Sequence, residues 1–568
     1  MIEADKNKLL VVAWDGATWD LLRPMVDAGR MPNLAKLMRE GVSATLESSI
    51  PPISPTAWLT FATSKNPGYH GVFDFFRPIR SSYADLVPTT ADSNHQETLW
   101  GMLSRLGRQV GVVNVPMTYP AEPVFGFLIP GAPMPAVSDP AYPPGLVTEL
   151  KDLGWDLTQD ATLVQGSFED TLLRLQELVE ARIEATCYLL RHKPWSFYMV
   201  HFLETDQVQH SFWRFLNNRD HPLRDSIPEF FEMMDAGLGR ILACVPDASV
   251  ILMSDHGMGP VNYHLSLNNW FIQEGFMRWK TRSATRIRRL AYALGLSPSN
   301  IYSLLPRQIT RRMTLGQLRT GLAQMPVDHV GRQRSSMSQL VKWFLGRLFI
   351  TVDDIDWSLT QAYSTGTTSV GLIYLNVRGR EPNGIVSVGV EYEELCDRIA
   401  EKLQDFADPY TGRRLVKAVY RRDEVFHGPY IDEAPDLVVA YNHGEYDQKK
   451  GSVFLTMRPV QRVRDANATH RMEGVFVLHS PTRVCGGSEL ESVDIKDVVP
   501  TVLYLLDAPI PSDLEGKLIT YAFSPDYLES HPVQIDESAP KVSRHRGDDV
   551  SPEELQDILE RLHGLGYV

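Results

Sequence analysis

The 568-residue chain has few cysteines, and those few are widely separated. Cys187, Cys244, Cys396 and Cys485 form no CxxC pair. Disulfide frameworks and zinc–thiolate sites need cysteines in closely spaced sets, so this pattern argues against both. We expect four reduced or buried thiols.

Long hydrophobic runs are also missing. No segment approaches the roughly 18 apolar residues that a membrane-spanning helix needs. The N-terminus, MIEADKNKLLVVAWDG, carries charges and leads directly into a strand-like segment. It lacks the long apolar stretch and the small-residue cleavage site of a signal peptide. We therefore expect a soluble, cytoplasmic protein.

An excess of positive charge is absent from the chain as a whole, because the formal net charge is −14. Such a balance argues against a protein that coats nucleic acid, so we expect no nucleic-acid polymer as a partner. Hydrophobic residues make up 43% of the chain, enough for a packed core and unlike a disordered protein. The length allows several domains, or one large α/β core with insertions.

Residues 278–349 differ from the rest in charge. They contain 14 Lys and Arg residues and a single acid, Asp328. The stretches RIRRLAYALGL and QLVKWFLGRLF predict amphipathic helices. We interpret the segment as an inserted helical cap. It is either a solvated insertion packed on an acidic body, or a cationic lid that attracts an anionic substrate or an anionic membrane surface.

Seven short apolar runs predict buried parallel strands, with helical patterns between them. The clearest helical pattern covers 168–192. This alternation indicates an α/β fold with a doubly wound, mostly parallel central sheet flanked by helices. The predicted strands are 9–16, 109–116, 196–206, 249–257, 371–377, 436–441 and 474–480.

This pattern divides the chain into four parts. The core comprises 1–277 and 351–525, and the basic insertion, 278–350, separates its two halves. A polar, proline-containing linker and a C-terminal helix form the last part, 526–568. Ser551 is the expected N-cap of that helix, with Glu554 three residues later as in a capping box.

Three predicted strands end in acidic or histidine residues. Asp15 follows the first strand, Asp206 ends another, and the pair Asp255–His256 ends a third. In open α/β sheets the ligand binds beyond the carboxyl ends of the strands. His210 lies four residues after Asp206, so on a helix the two side chains share one face and can bind one metal ion. Each signal alone is also typical of a surface pair, a polar turn or an N-cap.

Two further segments add candidate side chains. His470, in NATHRMEG, precedes another predicted strand and taken alone is an ordinary loop histidine. In the segment SIPPISPTAWLTFAT, Ser54 and Thr56 lie where a helix begins. A hydroxyl at a helix N-terminus is well placed as a nucleophile because the helix dipole favours an adjacent anion. The alternative is an ordinary N-cap.

The order of these motifs resembles the alkaline phosphatase superfamily. The similar segments are AWDG, SPTAWLTFATSKNPGYHG, ETDQVQH, SDHGMG, ATHRMEG and DIKDVVPTVLYLLDAPIPSDLEGKLI, which span about residues 9–521. Within the superfamily the chain is most similar to the type I phosphodiesterase/nucleotide pyrophosphatase branch and its soluble phosphohydrolase or phosphomutase relatives.

The resemblance implies a metal-dependent phosphohydrolase, most simply a phosphodiesterase, with two divalent metal ions and a small anionic phosphate ester as substrate. Zinc fits a set of carboxylates and imidazoles without thiolates, and manganese or iron is also admissible. The implied ligands of one ion are Asp15, Ser54, Asp255 and His256, and those of the other are Asp206, His210 and His470. Attack by a serine or threonine would form a covalent phosphoenzyme.

Two alternative functions stay open at this point. A phosphomutase or phosphotransferase would use the same phosphoenzyme but pass the phosphoryl group to a sugar or lipid hydroxyl. A catalytically silent protein would bind anions or a membrane surface through 278–349. The complete set of implied ligands argues against the second alternative.

The family spacing favours one hydroxyl as nucleophile. In the family the nucleophile lies nine residues before the threonine of an ATG-like turn. Here the turn is ATS with Thr63, which selects Ser54, and Thr56 is the alternative. The nucleotide pyrophosphatase branch has an asparagine three residues after its nucleophile, where this chain has Ala57. This difference weakens the expectation of a nucleotide substrate.

The sequence gives little information on the substrate-binding residues. His70, in GYHG, and His264, in NYHLSLNNW, are weak candidates for lining the pocket. SPTAW lacks the C/S-x-P-S-R context in which sulfatases of the same superfamily form formylglycine, which argues against a sulfatase.

Overall fold

The computed structural model describes residues 7–78, 82–83, 86–135, 137, 139–156, 167–297, 349–365, 369–442, 446–448, 454, 456–538 and 550–564. Its strands are β1 (Leu9–Trp14), β2 (Val42–Glu47), β3 (Phe76–Pro78), β4 (Leu86–Pro88), β5 (Val110–Val115), β6 (Gly126–Pro130), β7 (Phe197–Phe202), β8 (Ser249–Met253), β9 (Gly257–Leu265), β10 (Ala362–Ser364), β11 (Val370–Leu375), β12 (Val416–Arg421), β13 (Leu437–Tyr441), β14 (Tyr446–Gln448), β15 (Val460–Arg471), β16 (Glu473–His479), β17 (Ser488–Asp494), β18 (Ile510–Pro511) and β19 (Ile535–Asp536).

The helices lie between and around these strands. They are α1 (Trp19–Asp27), α2 (Pro32–Glu40), α3 (Ser54–Thr63), α4 (Pro67–His70), α5 (Leu99–Arg105), α6 (Leu146–Asp152), α7 (Phe168–His192), α8 (Glu204–Leu216), α9 (Ser226–Ala243), α10 (Leu267–Glu274), α11 (Ser283–Ala293), α12 (Val390–Gln404), α13 (Arg422–Val425), α14 (Val498–Leu505), α15 (Pro525–Ser530) and α16 (Pro552–Gly564).

The central sheet has eight strands in the order β17-β2-β16-β8-β1-β7-β5-β6. All neighbours are parallel except β16, which is antiparallel to β2 and to β8. The expected α/β fold with a mostly parallel sheet flanked by helices is therefore confirmed.

Both faces of this sheet are covered, as the strand β1 illustrates. All six of its side chains are buried. Leu10, Val12 and Trp14 pack into a core formed with α7, α8 and α9. Leu9, Val11 and Ala13 point to the other face and pack into a second core with α3, α5 and α14. Side chains of a strand alternate between faces, so an uninterrupted apolar run fits a strand buried on both sides.

Three of the predicted parallel strands run differently. The runs 371–377 and 436–441 form β11 and β13 of a separate sheet, β10-β11-β13-β12, whose pairings are all antiparallel. The run 474–480 forms β16, which lies in the central sheet but in the antiparallel direction. An apolar run reports burial on both faces and carries no information on direction, so the prediction that these strands are parallel was wrong.

The boundaries of two other elements test the sequence patterns more closely. Helix α7 covers the predicted 168–192, with Ser167 as N-cap and Asp170 closing the capping box. The run 196–206 ends as a strand at Phe202, and α8 begins at Glu204. The Glu204 carboxylate forms a buried ion pair with Arg182 of α7.

The predicted basic insertion, 278–350, lies mostly outside the described residues, which include only 278–297 and 349–350 of it. Within that part, α11 is joined to the core by Arg288, whose guanidinium lies 2.8 Å from the Asp354 carboxylate. Across the described parts of the chain, none of the helices combines the length and the apolar character of a membrane span. The four cysteines are free thiols.

The C-terminal part is more ordered than a simple linker. β19 pairs with β18, and α15 precedes it. Ser551 and Glu554 form the expected capping contacts at the start of α16, since the backbone N–H of each residue donates to the side-chain oxygen of the other. Residues 539–549 lie outside the described part.

Candidate active site

The strands β7, β1 and β8 bring the polar strand ends together. They are adjacent and parallel, with Trp14 opposite Phe202 and Ala13 opposite Met253. Their carboxyl ends therefore lie at one edge of the sheet. Asp15 follows β1 directly, Asp255 and His256 connect β8 to β9, and Asp206 lies in the first turn of α8.

His470 reaches the same edge from a second sheet. It lies within β15 and not in a loop, and it pairs with Met258 of β9 in the antiparallel register. Since β9 begins at Gly257, this pairing brings the His470 ring onto the His256 ring. The two rings are stacked, with centroids 3.8 Å apart.

One group of donor atoms consists of Asp206, His210 and His470. The Nε2 atoms of His210 and His470 are 3.0 Å apart. Asp206 Oδ1 lies 3.4 Å from the first of these atoms and 3.5 Å from the second. Asp206 and His210 share one face of α8, as their spacing predicts. The His210 side chain is 29% exposed, whereas Asp206 is fully buried.

A second group forms around His256. Its Nε2 atom is 3.5 Å from Asp15 Oδ1 and 3.4 Å from Asp255 Oδ2. The Ser54 hydroxyl oxygen is 3.4 Å from the same nitrogen. Ser54 belongs to α3, whose N-cap is Ile53, so its hydroxyl lies in the first turn of that helix. Asp15, Asp255 and His256 are all fully buried.

The hydrogen bonds of the three histidines determine which ring nitrogen carries the proton. Each Nδ1 faces a backbone carbonyl oxygen: that of Ala468 for His210, of Gly257 for His256 and of Pro52 for His470. A carbonyl oxygen only accepts, so Nδ1 carries the hydrogen. In the neutral ring each Nε2 then offers a lone pair, which is the arrangement of metal-binding histidines.

Burial and neighbouring charged groups shift the pKa values of three side chains in the site. Burial raises the pKa of Asp255 well above its usual value, and the nearby charges of Asp15 and Asp206 raise it further. Burial also opposes ionisation of Asp206, yet the His210 and His470 imidazoles hold its pKa well below the usual value. Burial lowers the pKa of His256 to about 4, and His470 adds to this effect.

These donors fit divalent cations. Two sets have donor atoms that all lie within 4.8 Å of one another, Asp15–Asp255–His256 and Asp206–His256–His470. Asp15 Oδ1 and Asp255 Oδ2 are buried and accept no hydrogen bond from the described residues. Buried carboxylate oxygens normally have a partner, and carboxylate with imidazole is a common ligand set for zinc. His210 joins the second set through its contacts with Asp206 and His470.

Several residues that position Asp15 escaped the sequence analysis. His201, in the middle of β7, is fully buried, and its Nε2–H donates to Asp15 Oδ2 at 2.7 Å. Trp58 Nε1–H of α3 donates to the same oxygen at 3.2 Å. With Oδ2 held in this way, Oδ1 is the oxygen that faces His256. A histidine inside an otherwise apolar strand was the one available sequence signal.

The turn after Asp15 is attached to α8. The Thr205 hydroxyl donates to the Asp15 carbonyl at 2.7 Å, and the Gln209 side-chain amide donates to the Gly16 carbonyl at 3.0 Å. Gly16 has φ +64°, and a Cβ there would lie 3.1 Å from Asp206 Oδ1. This position therefore needs glycine for its backbone conformation and for the close approach of Asp206.

The two candidate hydroxyls have different surroundings. Ser54 faces the donor atoms through its contact with His256. The Thr56 hydroxyl is fully buried and makes no hydrogen bond to any described residue. We call the carboxylates and imidazoles of the two groups, Asp15, Asp206, His210, Asp255, His256 and His470, the donor cluster. The geometry favours Ser54 as the hydroxyl that can contact a substrate bound there.

The two weak candidates for substrate contact, His70 and His264, do not belong to these groups of donor atoms. His70 is fully buried; its Nδ1 accepts from the Val72 N–H, and its Nε2 pairs with the Thr60 hydroxyl. Both ring nitrogens are therefore used within the fold. His264 lies on β9, six residues beyond Met258. At a strand rise of about 3.3 Å per residue, the separation from the His470 pairing is about 20 Å.

Comparisons with known proteins show which family the chain matches and which solved structures it is similar to. Residues 9–453 match the family described as type I phosphodiesterase/nucleotide pyrophosphatase. Phosphonoacetate hydrolase from Sinorhizobium meliloti, solved with phosphonoformate, shares 14% identity with a TM-score of 0.53, over 89% of this chain and 96% of that one. Murine ectonucleotide pyrophosphatase/phosphodiesterase 5 shares 13% identity with a TM-score of 0.47, over 91% of this chain and 100% of that one.

The human form of that phosphodiesterase also shares 13% identity, with a TM-score of 0.44, over 92% of this chain and 99% of that one. No functionally curated protein matches the sequence significantly. The phosphonoacetate hydrolase structure, at 14% identity and a TM-score of 0.53, supports the fold alone. The family match covers most of the chain. The chain thus belongs to the type I phosphodiesterase/nucleotide pyrophosphatase family and is a phosphoric ester hydrolase.

Proposed function

We propose that this protein is a phosphodiesterase that binds two divalent cations and uses Ser54 as its nucleophile. The observation that carries the proposal is the position of the Ser54 hydroxyl, 3.4 Å from His256 Nε2 at the edge of the donor cluster. Nucleophile and donor atoms meet at the carboxyl edge of a parallel sheet, where α/β enzymes bind their ligands.

The proposed ligand sets follow from the two groups of donor atoms. Asp15, Asp255 and His256 hold one cation together with the Ser54 oxygen, and Asp206, His210 and His470 hold the other. Zinc suits this set best, with manganese as the second choice. When bound, such cations lower the pKa of the nucleophile and stabilise the charge that develops on the leaving oxygen.

The protein's own groups would then carry out an in-line displacement. The Ser54 hydroxyl gives up its proton to solvent as its oxygen forms a bond to phosphorus. The P–O bond to one alcohol group breaks with its electron pair leaving on that oxygen, which takes up a proton from solvent. Water next attacks phosphorus, the bond to the Ser54 oxygen breaks, and the hydroxyl is restored. The N-terminal end of α3 favours the negative charge beside Ser54. Ala57 offers no side-chain amide to bind a phosphate oxygen, so the backbone N–H groups at the start of α3 bind that oxygen instead.

The test compares two hydroxyl variants on bis(p-nitrophenyl) phosphate, with zinc or manganese supplied. Removing an enzyme's nucleophile costs about 10³-fold or more in turnover, so Ser54→Ala should lose nearly all activity while keeping its bound metal. Thr56→Val should keep activity, because the Thr56 hydroxyl is fully buried and has no hydrogen-bond partner in the described part of the chain. Chelation should abolish turnover, and added metal should restore it.

The opposite outcomes are equally clear. Loss of activity in Thr56→Val with full activity in Ser54→Ala would move the nucleophile to Thr56. Turnover that survives complete removal of metal would reject the two-metal proposal.

A further inference from the structure

An apolar pocket adjoins Ser54. It encloses about 310 Å³, counting its open mouth. Among the nine described residues that line it, Ser54 is the single polar one, and the others include Phe75, Met117, Leu203 and Leu562. None of the six carboxylate and imidazole donors lines it.

Two connected loops form one wall of this pocket. They follow β5 and β6, which belong to the central sheet next to β7, so they extend from the sheet edge that carries the donors. Met117 lies in the first loop with φ +63°, a left-handed conformation that is strained for methionine. Its N–H donates to the carbonyl of Ala132 in the second loop at 3.1 Å. The contact holds the Met117 side chain in the wall.

The C-terminal helix α16 forms another wall. Leu562 lines the pocket and is 1% exposed. With Ile558 it packs into a cluster that contains Ile53, the residue before Ser54, and Phe75. The helix is also held by a hydrogen bond from the Tyr119 hydroxyl to Glu554, at 2.7 Å. The C-terminal helix therefore borders the space next to Ser54.

The chemistry of this lining selects the group that can occupy it. A base or sugar has polar atoms, and the described lining residues other than Ser54 offer no polar side chain to bond them, so burying each such atom here has a cost. An alkyl or aryl group would gain free energy from leaving water. We infer that the pocket binds an apolar group attached to the phosphorus of the substrate, so that the enzyme prefers alkyl or aryl phosphoesters over nucleotides. This inference rests on the proposed reaction at Ser54.

The test measures binding separately from turnover. Alkylphosphonates of increasing length, from methyl to hexyl, are titrated calorimetrically into the metal-loaded, full-length protein. Burial of a methylene is worth about fourfold in an equilibrium constant, so the Kd should fall about fourfold per carbon until the pocket is full. Thymidine 5′-phosphate should bind more weakly than hexylphosphonate.

Two variants of α16 locate the effect. Leu562→Ala widens the pocket, so the fourfold steps should continue to longer chains than in the wild type. Ile558→Ala is the matched control: it is buried in the same cluster but does not line the pocket, so it should reduce stability and leave the length dependence unchanged. Thermal unfolding of both variants shows that each is folded.

The outcomes separate this inference from the proposed function. A Kd independent of chain length, tighter binding of the nucleotide, or the same length profile in Leu562→Ala would overturn the pocket assignment even in an active enzyme. The expected length dependence in a protein that hydrolyses no ester would support the pocket and reject the proposed reaction.

Discussion

His201 is the residue whose replacement tests the geometry of the site most directly. Its ring is fully buried, Nε2–H donates to Asp15 Oδ2 at 2.7 Å, and Nδ1 has no hydrogen-bond partner among the described residues. The ring also packs edge-on against Trp58, with centroids 4.9 Å apart. His201→Phe keeps a flat ring in this space and removes a single hydrogen bond.

The expected loss follows from the nature of that bond. A hydrogen bond to a charged group contributes about 1.5–3 kcal/mol. Trp58 Nε1 continues to donate to the same oxygen at 3.2 Å, so Asp15 keeps one of its two donors. Outer-shell partners of metal ligands typically affect metal affinity by about 10–100-fold. We therefore expect zinc to bind about 10–100-fold more weakly to His201→Phe than to the wild type.

The assay is a calorimetric zinc titration of the metal-free protein, with kcat measured at saturating zinc. His201→Gln is the matched control, because its side-chain amide can still donate to Asp15 and should recover part of the affinity. A purely structural role would lower the thermal midpoint of His201→Phe and leave the zinc affinity unchanged. That result would refute the positioning of Asp15 by His201.

Two further perturbations examine the charge and the backbone of the site. The pKa of Asp255 is raised in the folded, metal-free protein, so above pH ~4 the folded state keeps a proton that the unfolded state has lost. The free energy of unfolding therefore falls as the pH rises above ~4, by up to about 1.4 kcal/mol per pH unit. Thermal unfolding at pH 5 and 8 should show a smaller decrease in Asp255→Asn; an identical decrease would contradict the assignment. Gly16→Ala should lower stability by about 1–2 kcal/mol through its left-handed backbone and weaken metal binding through the contact with Asp206, as unfolding and zinc titrations would show. Wild-type stability together with wild-type zinc affinity in Gly16→Ala would contradict the steric argument.

Much of the fold was predictable from the pattern of side chains. The run LLVVAW of β1 and the helical periodicity of α7 match the observed elements because local periodicity reflects burial, and burial follows from side-chain type. The direction of β11, β13 and β16 was not predictable. Their apolar runs are satisfied equally by parallel and antiparallel neighbours, and the choice depends on connections that are distant in the chain.

In the candidate site, too, some residues were predictable from the sequence and others were not. Asp15 and Asp255 were predicted because they come at the ends of apolar strands, and strand ends meet at one edge of a parallel sheet. Asp206 was predicted as the end of the apolar run 196–206, although the structure places it in the first turn of α8. His201 and Trp58 were missed because they lie within an apolar strand and an apolar helix, where the sequence pattern does not distinguish them from core residues. The Trp58 contact with Asp15 joins positions 43 residues apart, and that of His201 joins positions 186 apart.

By itself the sequence determined the inventory of this protein: carboxylates and imidazoles after apolar strands, a hydroxyl at a helix start, and a capped C-terminal helix. Only the tertiary structure decided how these parts are used. It turned three Nδ1–H groups onto backbone carbonyls so that three Nε2 atoms face inward, and it brought Leu562 beside Ser54. Side-chain type fixes what chemistry a residue can do, but its orientation depends on backbone atoms and neighbours hundreds of positions away.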